Sequence, residues 1–148
     1  MRDDARVSSD DVAASVDLEG IRSVLENTDV RYAVVFGSYA TGSETEASDL
    51  DICVRFAEDC SRRERFRQRN RIDSTLQSYA EPFVDVSDLE ALPDTVALNA
   101  LQDGTLLYGD GNLKTADERR LTQRVDASSD QRTQQRREFI DRLAEGDV

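Results

Sequence analysis

Two aspartates two positions apart, Asp49 and Asp51, carry the clearest chemistry in this sequence, and ten residues separate Asp49 from the dipeptide Gly37-Ser38. Alternation with Leu50, Ile52, Val54 and Phe56 reads as a strand that sends both carboxylates from one face. Hard oxygen ligands side by side suit Mg²⁺, which binds through one or two carboxylates together with substrate phosphates. Gly37 permits a tight turn off the apolar run Tyr32-Ala33-Val34-Val35-Phe36, and Ser38 offers a hydroxyl and an N–H where a short helix could open toward an anion. A phosphate cradle and a cation-binding carboxylate pair thus fall within fifteen residues. A third acid, Asp85, stands between Val84 and Val86, one polar residue aimed at a site from an otherwise buried strand.

The elements that must position these groups follow from the apolar pattern. Residues 1–16 are polar, rich in Ser and Asp, and read as a loose arm. A helix begins near Asp17, with Leu18, Ile21, Val24 and Leu25 at helical spacing and Asn27-Thr28-Asp29 as its exit. Val30 to Phe36 is a buried strand, the Gly37 to Ser48 loop holds a short helical turn, and Leu50 to Phe56 is the partner strand. Ser61-x-x-Glu64 is a capping box opening a helix that runs through Tyr79. Pro82 to Val86 reads as a third strand, Pro93 as the first turn of a helix ending at Gly104, and Thr105 to Tyr108 as a fourth strand. Ser87-x-x-Glu90 reads as a further capping box, with Asp88 and Glu90 in helix-start roles. Beyond Gly111, Thr115-x-x-Glu118 opens one more helix and Asp130 to Ala144 forms a last one, with Phe139, Ile140 and Leu143 on one side. That stripe serves either its own domain or a partner.

Composition narrows the function. The chain has 148 residues, with 31 acidic against 19 basic and a net charge of −12. Such a surface makes nucleic acid a poor partner. Of the basic residues only Lys114 is a lysine and His is absent, a balance that suggests a salt-rich environment in which ions screen the self-repulsion. Cys53 and Cys60 form no CxxC pair and read as free thiols. No apolar run approaches a membrane span and the first residues lack a signal-like apolar stretch, so a soluble, cytoplasmic protein is expected. The length suits one domain.

Phe36-Gly37-Ser38-Tyr39-Ala40-Thr41-Gly42, five residues, then Ser48-Asp49-Leu50-Asp51 resembles the signature of polymerase-beta-like nucleotidyltransferases. Phe83-Val84-Asp85-Val86 resembles the strand that carries that superfamily's third carboxylate. The stretch from Ser87 to Pro93 and then Leu101 to Tyr108 resembles the minimal nucleotidyltransferases (MNT), antitoxins paired with HEPN-domain toxins. The resemblance implies an α/β (α+β) fold, a small mixed β-sheet flanked by helices, with a nucleotidyltransferase domain at 17–112 and a charged C-terminal helical segment at 113–148. It implies nucleotide binding at Gly37, Ser38, Gly42 and Ser48, and two Mg²⁺ ions held by Asp49, Asp51 and Asp85, which are also the catalytic residues. The implied reaction moves AMP from ATP to a tyrosine hydroxyl of a HEPN ribonuclease toxin, in a hetero-oligomer with that toxin. A non-catalytic antitoxin that occludes the toxin and a small-molecule nucleotidyltransferase are the alternatives. Many members carry an Arg in the loop where this chain has Tyr39 and Thr41. The run Arg62 to Arg71 is either a substitute phosphate donor or a solvated helix face paired with neighbouring carboxylates.

Overall fold

The computed structural model describes residues 16–37 and 49–144. The short helix α1 (Leu18–Glu26) is capped by Asp17, whose carboxylate accepts from the Gly20 N–H at 2.9 Å. Its apolar stripe buries Ile21 and Leu25 completely. The chain then enters β1 (Val30–Phe36), which pairs antiparallel with β2 (Leu50–Phe56) from Val30↔Phe56 to Phe36↔Asp51. The capping box of Ser61 and Glu64 is formed in both directions, at 3.1 and 2.9 Å, and opens α2 (Arg62–Leu76). This helix ends at Leu76 and a 3₁₀ turn (Gln77–Tyr79) completes the stretch expected as one helix.

Strand β3 (Val84–Asp88) lies parallel to β2, so α2 is the crossover that parallel pairing requires. It is displaced by two residues from the expected Pro82 to Val86. Pro82 has no N–H for a ladder, whereas Ser87 and Asp88 find partners in Cys53 and Val54. Ser87 therefore sits inside the strand, and Asp88, not Ser87, caps the 3₁₀ turn Leu89–Ala91 by accepting from the Glu90 N–H at 3.1 Å. Helix α3 (Asp94–Asp103) follows Pro93, and β4 (Thr105–Gly109) pairs antiparallel with the free edge of β1. The sheet order is β3-β2-β1-β4, a mixed four-stranded sheet.

The C-terminal region is one helix, α4 (Gly111–Ala144), where two were expected. Asp110 starts it by accepting from the N–H groups of Asn112 and Leu113 at 3.0 and 3.2 Å. No Gly or Pro interrupts the chain between Asn112 and Ala144, so the backbone has nothing to break it at the second expected start.

Each face of the sheet has its own core. Leu50, Ile52, Val54, Phe56, Val84, Val86, Ala33 and Val35 pack with Ile21 and Leu25 of α1 and Ile72 and Leu76 of α2. Full burial of each larger side chain contributes about 2 kcal/mol. Tyr32, Val34 and Cys53 face the other way, onto Ala97, Leu98 and Leu101 of α3 and Leu121 of α4. A register shift between Val30 and Tyr32 lets these two residues join opposite cores. Val16 is also buried and bridges to Ala80. Cys53 and Cys60 are free thiols, both buried. Among the described residues no helix is long and apolar enough to cross a membrane.

Candidate functional site

The even positions of β2 fill the α1/α2 core, so its odd positions emerge on the opposite face. Asp51 is first among them within the strand, with Asp49 immediately before it. Parallel pairing sets Asp51 directly beside Asp85 of β3, and Val84 and Val86 of that strand are buried on the α1/α2 side. Two aspartates far apart in the sequence therefore leave neighbouring strands at one level and on one face. Burial first, then the charges of Asp85 and Asp49, push the Asp51 pKa above the ordinary carboxylate value. Asp49 and Asp85 are exposed and Asp51 is half-buried.

Gly37 completes this corner from the β1 side. It has a left-handed φ of 77°, and a Cβ there would collide with the Asp51 carboxylate oxygen Oδ2. The backbone thus turns off β1 directly over Asp51, where only glycine fits. Ser38, Gly42 and Ser48, the other expected nucleotide-binding residues, lie outside the described residues, as do Tyr39 and Thr41.

No three His, Cys, Asp or Glu side chains among the described residues close on one point as a finished metal site. The donor chemistry nonetheless fits a hard divalent cation. The charges of Asp85 and Asp49 reach Asp51 closely enough to oppose its ionisation, and no Arg or Lys among the described residues forms an ion pair with the three.

The arginine run does not face this corner. Helix α2 packs through Ile72 and Leu76 on the opposite side of the sheet from Asp51. Within the run, Arg65 pairs with Asp88 at 2.8 Å and Glu90 at 3.5 Å, and Arg69 donates to the Val86 carbonyl at 2.9 Å. Arg62, Arg63, Arg67 and Arg71 are exposed. The run is a helix face that stitches α2 to β3 and is otherwise solvated. A cavity of about 340 Å³ lies past the far end of β3, lined in part by Arg65, Arg120 and Arg124, each already paired with a carboxylate.

Sequence reasoning missed a second cluster on the carboxylate face of the sheet. Asp117 of α4 accepts from the Tyr32 hydroxyl at 2.7 Å, from Arg55 Nε at 3.0 Å and from Arg120 Nη2 at 2.9 Å. Tyr32 and Arg55 are neighbours across β1 and β2, and all three of Tyr32, Arg55 and Asp117 are buried. Burial raises the Asp117 pKa, but the hydrogen bonds from Tyr32 and Arg120 and the Arg55 charge outweigh it, and the net shift is downward. Phe83 was also passed over as a site residue. Alternation from buried Val84 puts it on the Asp85 face, 57% exposed, while its carbonyl accepts from the Leu50 N–H at 2.8 Å.

A mixed sheet with a glycine turn after its first strand, a spaced Asp pair opening the second and a third Asp on the parallel neighbour defines the nucleotidyltransferase class. The family model described as polymerase beta, nucleotidyltransferase matches residues 19–112, and the chain belongs to that family. No curated protein matches it in sequence. The fold is similar to a crystal structure of a toxin–antitoxin with AMP-PNP, with a TM-score of 0.68 at 19% identity over 84% of this chain and 99% of that one. It is similar to the MntA–HepT toxin–antitoxin, with a TM-score of 0.62 at 17% identity over 84% and 97%. It is also similar to the tri-AMPylated Shewanella oneidensis HEPN toxin in complex with MNT antitoxin, at 0.58 and 17% over 84% and 96%.

Proposed function

We propose that this protein is an antitoxin adenylyltransferase that moves AMP from ATP to a tyrosine hydroxyl of a cognate HEPN-domain toxin and so neutralises it. The observation that carries this reading is the register that sets Asp51 beside Asp85, with the Gly37 turn closed over Asp51. The relatives similar in fold include one with AMP-PNP and one with an AMPylated HEPN toxin, which supports the same nucleotide and partner here.

In this reading the phosphates of ATP lie against the turn at Gly37 and the loop that follows, with Ser38, Gly42 and Ser48 as further contacts. Asp49, Asp51 and Asp85 would hold Mg²⁺, which when bound offsets the negative charge gathering on the phosphates in the transition state. The tyrosine oxygen attacks the α-phosphorus, a new P–O bond forms, and the bond to the β-phosphate bridging oxygen breaks, releasing pyrophosphate. Asp85, exposed on a strand that is an edge among the described residues, accepts the proton of the attacking hydroxyl directly or through one water. Positioning by a rigid sheet supplies much of the rate. The product carries a phosphodiester with a negative charge at the toxin's modified tyrosine, a local electrostatic switch.

The test is transfer of label from α-labelled ATP to the co-expressed partner, in Mg²⁺ and high salt. Asp49→Ala combined with Asp51→Ala is expected to lower transfer by about a thousandfold or more, in line with loss of metal-assisted charge stabilisation. No label from the native chain, with neutralisation intact, would make this an occluding antitoxin instead. Label on a small metabolite without any protein partner would point to the small-molecule alternative.

A further inference from the structure

Across the sheet at the level of the carboxylates, the order of residues is directional. Gly37 lies on the β1 side, Asp51 in the middle on β2, and Asp85 beyond it on β3, an edge strand among the described residues. Resting on the adenylyltransferase reading, the phosphates occupy the Gly37 side. The group that surrenders its proton to Asp85 must then approach over β3. Two residues before Asp85, immediately ahead of β3, stands Phe83, and carrying the strand's alternation back by one residue puts it on the same face.

Phe83 belongs to neither core of the sheet. It is 57% exposed, although its carbonyl accepts from the Leu50 N–H just ahead of β3. A large exposed ring on an anchored backbone gives contact area when something covers it, and with two side-chain torsions it loses little conformational freedom. Folding does not need it there, because the strand's own apolar residues, Val84 and Val86, already fill the α1/α2 core.

We propose that Phe83 is a positioning residue for the acceptor. Its ring seats the aromatic or apolar side chains of the polypeptide segment whose hydroxyl is delivered to Asp85, on the side of the carboxylates away from the nucleotide. It favours an acceptor that carries apolar side chains beside its hydroxyl, because those side chains gain contact with the ring.

The experiment compares the full chain with Phe83→Ala and Phe83→Tyr, using the co-expressed partner protein and Mg-ATP. Phe83→Ala is expected to raise KM for the partner about tenfold while KM for ATP and the melting temperature stay put, and Phe83→Tyr is expected to restore the native value. A parallel rise in KM for ATP would assign the ring to the nucleotide base and overturn the proposal. Association with the partner is also measured in the Asp49→Ala, Asp51→Ala background, which does no chemistry. If the native chain transfers nothing but Phe83→Ala still weakens association about tenfold, AMP transfer falls and the docking role stands. Unchanged association in both backgrounds removes the docking role, whether or not label is transferred.

Discussion

Over one face of a single small sheet, a group of three acids and a single buried acid of α4 meet opposite fates. At the Gly37 end, Asp49, Asp51 and Asp85 gather with no described cation among them, and Asp51 titrates above its ordinary value. Further along the same strands, Asp117 is surrounded by Tyr32, Arg55 and Arg120, and its pKa is lowered. The first group tolerates repulsion at a corner open to water; the second satisfies every charge under the cover of α4. Strong pairing thus marks where this fold is fastened, and like-charge crowding marks the corner where the proposed chemistry is placed.

The sharpest way to break the contrast is at Asp117. Asp117→Ala leaves Arg55 buried without its main partner, and a loss of about 3–5 kcal/mol in unfolding free energy is expected by chemical denaturation. The sign with pH is fixed by the direction of the shift. A carboxylate with a lowered native pKa contributes above its unfolded value of about 3.9, so the gap between native chain and variant should shrink as pH falls through the native value. A gap that stayed constant down to pH 2 would assign the loss to packing alone. Tyr32→Phe removes one hydrogen bond to a charged acceptor and keeps the ring, with an expected cost of about 1.5 kcal/mol and no change in partner association. Asp51→Asn should do the reverse of Asp117→Ala. With Mg²⁺ chelated, it relieves repulsion and stabilises the chain by about 0.5 kcal/mol, and with Mg²⁺ present it is expected to end transfer. A clear destabilisation there would mean that Asp51 is a fastening residue like Asp117.

Much of the candidate corner was legible because it is local. Gly37, Asp49 and Asp51 fall in one continuous stretch, and β1 carries a continuous apolar run while β2 shows a two-residue period. The third acid could be read as a strand residue, but its pairing with Asp51 is set by the β2–β3 register, which no periodicity encodes. That register also decided where β3 began, because Pro82 gives way to Val84 as the partner of Leu50. The Asp117 cluster was invisible for a similar reason: its partners Arg55 and Tyr32 lie 62 and 85 residues away. Between Thr115 and Ala144 the two start signals in the sequence look alike, yet the second has no reason to act in a chain already helical.

That last point bears on how α4 holds its shape. Its buried contacts, Asp117 and Leu121, sit in the first third, and every residue from Asp126 to Ala144 is exposed. Starting a helix is the costly step and extending one is cheap, so the folded domain acts as a nucleus from which the remainder grows by propagation alone. The far part of α4 is therefore held by its own backbone ladder and not by packing, and Phe139, Ile140 and Leu143 stand exposed on it.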